Sequence, residues 1–109
     1  MDYDQVRISF PVEPDHCILR LGGALGVASA EELRLTGLEL CAYHKDVVVD
    51  WSGATQLDAG IAQVLLSLRA GLGEQNRSLA CIAAIPPPVE SWLRTAGLSG
   101  VLGEPGRGA

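Results

Sequence analysis

Apolar and polar residues alternate near the start of the chain, and later apolar residues recur at helical spacing. Over residues 5–12, Val6, Ile8 and Phe10 alternate with polar neighbours, which is the period of a half-buried strand. The prolines and the aspartate of residues 11–15 predict a turn, and the segment CILRL after them predicts a second strand. The pattern therefore predicts an N-terminal hairpin.

A short apolar run precedes the most regular part of the sequence. Residues 47–50, VVVD, predict a strand that is covered on both faces or lies well inside the sheet, and residues 51–57 predict a loop. The apolar positions that follow lie on one stripe of a helix: Ile61, Val64, Leu65, Leu68 and Leu72. The sequence thus predicts a buried strand, a loop and a helix that packs on a sheet.

Asp58 comes directly before this second helix. A carboxylate at that position can accept a hydrogen bond from the unpaired amides of the first turn, and its charge suits the positive end of the helix dipole. We therefore expect Asp58 to cap the helix, and we expect the helix start to be the most distinctive surface of the chain.

Local signals place two further helices. Ser29 and Glu32 have the spacing of a capping box, so the first helix is expected to begin at Ser29. The prolines of residues 86–88 predict the start of a third helix, and Gly97 is placed to end it in the left-handed conformation with Leu98 packing back.

The remaining segments complete the predicted order of elements. Residues 71–77, with two glycines and a polar stretch, predict a loop, and residues 78–85 predict a fourth strand. Val101 and Leu102 predict a last short strand. Alternating strands and helices predict an α/β sheet whose functional loops, including residues 51–57, lie at the carboxyl ends of the strands.

Composition limits the class of protein. The chain has 109 residues, 48% of them hydrophobic and 19% charged, which indicates one globular domain. A net charge of −5 without a cluster of basic residues argues against nucleic-acid binding. No uncharged stretch is long enough for a bilayer span, and the N-terminus lacks the features of a signal peptide, so we expect a cytoplasmic protein without direct membrane insertion.

The residues that most often perform chemistry do not form a catalytic pattern. Cys17, Cys41 and Cys81 are widely spaced among apolar neighbours, which favours buried reduced thiols over a metal site or a disulfide framework. His16 and His44 are expected at element ends as surface or capping residues. We therefore predict no metal, no cofactor and no enzymatic activity.

The segments VVVDWSG and LDAGIAQVLL, with GGALGVASAEEL upstream, resemble the STAS domain of anti-sigma-factor antagonists and of sulfate-transporter cytoplasmic tails. The resemblance covers nearly all of the chain. It implies a single domain over residues 1–103, whereas the disordered tail expected at residues 104–109 is an interpretation of the tail residues themselves. It also implies an α/β fold with a mixed four- to five-stranded sheet, about three helices packed on it, and the final helix of the family missing. A surface left bare by that missing helix would be covered by a partner or by a second copy in a homodimer.

The resemblance also implies a function. The chain is expected to be a bacterial regulatory module that binds a protein, either a kinase-like anti-sigma factor or another signalling partner, through the helix that starts near Asp58. The alternative is a STAS subunit of a membrane transporter complex that binds its cytoplasmic ATPase. In proteins of this family a serine at the helix start is phosphorylated, but the equivalent positions here are Ala59 and Gly60, so that phosphoswitch is not expected.

The predicted partner-binding surface therefore consists of residues around the helix start and in the preceding loop: Trp51, Ser52, Thr55, Asp58, Ala59 and Gly60. Ser52 and Thr55 are the alternative phosphorylation sites, although their hydroxyls are also suited to satisfying backbone groups of a turn. Trp51 fits either a docking aromatic or a core tryptophan.

Overall fold

The computed structural model describes residues 6–82 and 85–102. In chain order the elements are β1 (Arg7–Ser9), β2 (His16–Ala24), α1 (Val27–Ala42), β3 (Asp46–Gln56), α2 (Ala59–Glu74), β4 (Leu79–Cys81), α3 (Pro87–Thr95) and α4 (Ser99–Leu102). Over these described ranges, no helix has the length and apolarity needed to cross a membrane.

The strands form one mixed sheet in the order β1-β2-β3-β4. β1 pairs with β2 in antiparallel register, with Ile8 opposite Leu21, and the predicted N-terminal hairpin is confirmed. β2 pairs with β3 and β3 pairs with β4, both in parallel. The predicted mixed α/β sheet of four strands is confirmed, and β3 lies well inside it.

One face of the sheet carries the core. Along β3, Val47, Val49 and Trp51 are each at most 2% exposed, whereas Val48 and Asp50 between them are only partly buried. The same alternation occurs in β2 at Cys17 and Leu19. Successive side chains of a strand point to opposite faces, so the helices pack against this one face. Buried residues from three helices meet it: Leu33, Leu40, Ile61, Leu65, Leu72, Val89 and Leu93.

β3 is longer than predicted, because the expected loop of residues 51–57 continues the strand through Gln56. After an irregularity at Arg20 and Gly22, parallel pairing with β2 resumes, with Gly22 opposite Gly53 and Ala24 opposite Gln56. Ladder hydrogen bonds from a neighbouring strand thus extend β3 through residues that are locally typical of turns.

The helix ends differ from the predictions in two places. α1 begins at Val27 and not at Ser29, because Ser29 lies inside the first turn, where its hydroxyl donates to the Gly26 carbonyl at 2.9 Å and accepts from the Gly26 amide at 3.2 Å. α2 continues through Gly71 and Gly73, which were expected in a loop.

The end of the described chain also departs from expectation. β4 is shorter than the predicted strand, and residues 83 and 84 lie outside the described ranges. Val101 and Leu102 belong to α4, so the predicted fifth strand is wrong; the Leu102 amide donates to the Leu98 carbonyl at 2.8 Å and the Leu102 side chain is 4% exposed. The predicted tail and the missing final helix concern residues beyond the described ranges.

The predicted end of α3 is confirmed. Gly97 has a φ of 75° and the Leu98 amide donates to the Leu93 carbonyl at 2.7 Å, which is the hydrogen bond that closes a left-handed helix end. Cys17, Cys41 and Cys81 are not joined in disulfides, and burial raises the pKa of Cys17 and Cys41, which favours their neutral form.

Candidate functional site: two helix starts at one edge of the sheet

The starts of α1 and α2 lie side by side. β2 and β3 are parallel neighbours, so their carboxyl ends reach the same edge of the sheet, and each leads into a helix there. The Leu25 amide donates to the Gln56 carbonyl at 3.0 Å and ties the two connections together. A Cβ atom placed on Gly26 would lie 3.7 Å from Oδ2 of Asp58.

The site, called here the paired helix starts, comprises six residues: Gly26, Val27, Ala30, Asp58, Ala59 and Gly60. The residues at the start of α1 and those at the start of α2 lie close together: a Cβ atom placed on Gly60 would lie 3.9 Å from Cβ of Ala30. Small side chains therefore allow the first turns of the two helices to form one continuous surface.

Asp58 caps α2 as predicted. Its backbone is extended, with φ −132° and ψ 177°, and its Oδ1 accepts a hydrogen bond from the Ile61 amide at 3.0 Å. Its carbonyl accepts from the Ala62 amide at 3.1 Å, which starts the helical ladder. The carboxylate satisfies one otherwise unpaired amide and places negative charge at the positive end of the dipole.

The surface around Asp58 is shallow, with one apolar projection. Ala59 is exposed and Gly60 is half-buried, whereas Val27 at the first position of α1 is 81% exposed. Asp58 is the only ionisable residue among the six, and none of them carries a hydroxyl, thiol or imidazole. These six side chains therefore include no hydroxyl or thiol nucleophile and no pair of proton-transfer groups.

A family model described as "Mlab, STAS domain" matches residues 8–104, which is most of the chain. The chain belongs to the STAS domain family. No curated protein sequence matches it.

Solved structures share the fold of this STAS domain. An anti-sigma factor antagonist from Mycobacterium paratuberculosis superimposes with a TM-score of 0.77 at 14% identity, over 94% of this chain and 86% of that one. A putative anti-sigma factor antagonist from Thermotoga maritima gives a TM-score of 0.75 at 15% identity, over 87% and 82% of the two chains. The anti-sigma factor antagonist SpoIIAA in its unphosphorylated form gives 0.73 at 14% identity, over 88% and 84%.

The predicted site residues of the STAS domain fall into separate environments. Asp58, Ala59 and Gly60 lie together at the start of α2. Trp51 is fully buried on the core face of β3, beside Val49 in the alternation of that strand. The docking-aromatic alternative for Trp51 is therefore wrong for this conformation, and the core alternative is confirmed.

Ser52 lies on the sheet face opposite the core. It lines a cleft of about 220 Å³ together with Arg7, Arg20 and Asp50. The Ser52 amide donates to Oδ1 of Asp50 at 2.9 Å, and Nε of Arg20 lies 3.8 Å from Oδ2 of the same carboxylate. Hydrogen bonds from the Ser52 side chain and amide, with the charge of Arg20, lower the pKa of Asp50.

These contacts bear on Ser52 as a phosphorylation site. Its amide donates to the Asp50 carboxylate, whose pKa is lowered, and a phosphate on Ser52 would stand beside that negative charge. The position of Ser52 next to Asp50 thus favours the alternative in which Ser52 satisfies neighbouring groups over the alternative of a phosphorylation site. Thr55 is exposed near the carboxyl end of β3, also in a strand and not in the expected loop.

Sequence reasoning missed the α1 half of the site. Gly26, Val27 and Ala30 were not predicted, because the first helix was expected to begin two residues later, at Ser29. A usable signal was present in the order of elements: two consecutive strands, each followed by a helix, place both helix starts at one edge when the strands are parallel neighbours.

Proposed function

We propose that this STAS domain is a non-enzymatic regulatory module of a bacterial signalling system and that it docks on a kinase-like anti-sigma factor in the cytoplasm. The observation that carries the proposal is the paired helix starts, an accessible surface of small residues with one exposed valine and one carboxylate. The solved structures of the same fold that are described as anti-sigma factor antagonists support this choice of partner.

The physical basis of docking is close approach. Ala59 and Gly60 leave room for a partner backbone to approach the first turn of α2, and the side chain of Val27 is exposed and available for an apolar contact. Asp58 gives this surface a negative charge within a chain of net charge −5, so a basic patch on the partner is the expected complement.

The proposed module lacks the serine switch at the helix start. Ala59 and Gly60 occupy the positions where family members carry serines, and neither accepts a phosphate. Docking is therefore proposed to be independent of phosphorylation at the start of α2, so that partner availability and not a covalent switch sets occupancy.

The proposal is tested by Ala59→Glu, which adds an exposed acid to the first turn of α2. Acids are compatible with a helix N-terminus, so the thermal stability is expected to stay nearly unchanged. Affinity for the partner, measured by calorimetric titration, is expected to fall at least tenfold, about 1.4 kcal/mol, because charge and bulk are placed in the contact. Ala59 is preferred to Gly60, whose added Cβ would lie 3.4 Å from Oδ1 of Asp58.

Ala70→Glu is the matched control. It is the same substitution at another exposed alanine of α2, and eleven residues of helix place it roughly 16 Å from Ala59. Its affinity for the partner should equal that of the wild type. If Ala59→Glu binds as tightly as Ala70→Glu, the paired helix starts are not the docking surface.

The second candidate is the alternative that the sequence left open, a STAS subunit of a membrane transporter complex bound to its cytoplasmic ATPase. It is kept because the matched family model is described as Mlab and not as an anti-sigma factor antagonist. Purification of the tagged chain from native cells separates the two: a kinase-like ATPase alone supports the first candidate, and a transporter ATPase with membrane subunits supports the second. The Ala59→Glu and Ala70→Glu pair is then titrated against the identified ATPase.

A further inference from the structure

Exposed apolar side chains concentrate on α1. Six large hydrophobic residues are exposed in the described parts of the chain, and three of them lie on this helix: Val27 at 81%, Leu35 at 49% and Leu38 at 60%. Leu35 and Leu38 are three residues apart and therefore share a face, opposite the buried Leu33 and Leu40. Such a stripe on a solvent-facing helix indicates a contact surface.

The charges beside this stripe have opposite signs on its two flanks. If Leu35 and Leu38 take the a and d positions of a heptad, Arg34 takes g and Glu39 takes e, and all four residues are exposed. Residues at g and e flank the seam of a helix pair and form ion pairs with the neighbouring helix. Ala28 and Ala42 fall at the other a positions, where small exposed residues allow close approach.

We propose that a second copy of this chain packs on this stripe, with the two α1 helices parallel. A two-fold axis along the helices places Arg34 of each copy beside Glu39 of the other, so the contact contains two cross-helix ion pairs. In an antiparallel pair the arginine flank of one copy would face the arginine flank of the other, so like charges would meet. The opposite signs of the flanks therefore fit a second copy in the parallel orientation.

Glu31, at the remaining d position, is compatible with this contact. Its carboxylate accepts hydrogen bonds from Nε of Arg34 at 3.0 Å and from Nη2 at 2.6 Å, so its charge is paired within the helix. A guanidinium has five N–H donors, and Nη1 of Arg34 remains able to reach Glu39 of the second copy.

The second copy also covers apolar surface beyond α1. Arg34 and Leu38 line a groove of about 320 Å³ between α1 and α2, with Val64 and Leu68 on its other side and the small Gly37 at the helix contact. A helix packed along the stripe lies over the edge of this groove. Because single helices contribute to each side, the interface is small and a weak, concentration-dependent dimer is expected.

The parallel orientation has a consequence for the proposed docking surface. Both α1 helices start at the same end of such a dimer, so the two paired helix starts face the same way and a two-fold symmetric partner can engage both, with a gain in avidity. This consequence rests on the proposed function. The dimer itself does not, and it is measured on the chain alone without any partner.

The experiment is sedimentation velocity of the purified chain from roughly 10 µM to roughly 1 mM, a range that covers weak association. The wild type is expected to shift from monomer towards dimer with rising concentration, and Leu38→Asp is expected to remain monomeric. Val12→Asp is the control, because Val12 is also an exposed apolar residue, at 39%, but does not belong to the stripe on α1. Circular dichroism establishes that each variant is folded.

A charge exchange tests the orientation. Glu39→Arg alone places arginine beside arginine, and Arg34→Glu alone places glutamate beside glutamate, so each variant is expected to lose most of its dimer. An equimolar mixture of the two variants pairs opposite charges at both positions and is expected to recover the wild-type association. A wild type that is monomeric at every concentration, a Leu38→Asp variant that still dimerises, or a mixture without recovery overturns the proposal.

Discussion

At the scale of single residues, Asp58 connects the fold with the proposed docking surface. The same carboxylate caps α2 through Oδ1, and its Oδ2 lies 3.7 Å from the position that a Cβ atom on Gly26 would take, so one side chain stands at both helix starts. Loss of the cap would change the first turn of α2 and with it the proposed docking surface.

Replacement of Asp58 separates the cap from the charge. Asp58→Ala leaves the Ile61 amide without its acceptor and is expected to reduce the free energy of unfolding by about 1 kcal/mol, the usual effect of a lost cap. Asp58→Asn keeps a side-chain oxygen in place and should reduce the free energy of unfolding by only a few tenths of 1 kcal/mol. Urea denaturation midpoints provide the measurement, and equal midpoints for Asp58→Ala and the wild type would contradict the role of the cap.

At the scale of elements, some helix and strand boundaries follow from nearby residues, and others follow from pairing with a distant strand. The N-terminal hairpin, the start of α2 and the end of α3 follow from residues close in sequence: alternation in β1, a capping aspartate and a glycine at Gly97. Each of these signals acts within one turn or one strand, and for that reason the sequence alone predicts it.

The wrong element predictions involve contacts that are distant in sequence or signals that compete locally. β3 continues through Ser52 and Gly53 because β2, about thirty residues earlier in the chain, supplies its ladder partners. The local preference of these residues for a turn contains no information about that distant strand. α1 begins at Val27 although Ser29 has a capping-box partner, since Ser29 bonds back to Gly26 from inside the helix. The α1 half of the paired helix starts was missed through this single error.

Two glycines allow the effect of backbone conformation to be isolated. A Cβ atom added to Gly73 or to Gly97 would meet nothing within 4 Å, but Gly97 has a φ of 75° whereas Gly73 lies within α2. Gly73→Ala is expected to stabilise the protein by about 0.5–1 kcal/mol through helix propensity and a less flexible unfolded chain. Gly97→Ala should destabilise it by about 1–2 kcal/mol.

Thermal unfolding of the two glycine variants measures this contrast directly. Because the added methyl group is the same and has no neighbour at either position, packing cannot account for opposite signs. A shift in the same direction for both variants would show that the end of α3 or the length of α2 differs from the structure described here.

At the scale of the whole molecule, acid stability is expected to depend mainly on one carboxylate. The described acids with a lowered pKa are Asp15, Glu31 and Asp50. Asp15 and Glu31 are exposed, and exposed ion pairs contribute little to stability. Asp50 has a side chain only 19% exposed, accepts from Ser52 and faces Arg20, so its ionised form is held in the native state.

The direction of the pH dependence follows from that lowered pKa. The unfolded chain takes up a proton near the ordinary value of 3.8 while the folded protein still resists protonation, so the contribution of Asp50 is complete well above pH 3.8 and is lost as the pH falls through 3.8 and then through the lowered pKa. Replacement of Asp50 tests this pH dependence. Asp50→Asn keeps an oxygen for the Ser52 amide but removes the charge, and it should reduce the free energy of unfolding at pH 7 by about 1 kcal/mol. Urea denaturation at pH 7, 5 and 3 measures the free energy of unfolding, and the difference between the variant and the wild type should shrink towards pH 3. As a control, Glu31→Gln removes a charge from an exposed pair and should leave the acid dependence close to that of the wild type. A constant separation at all three pH values would mean that the effect of Asp50→Asn comes from altered packing on the open face of the sheet and not from the charge.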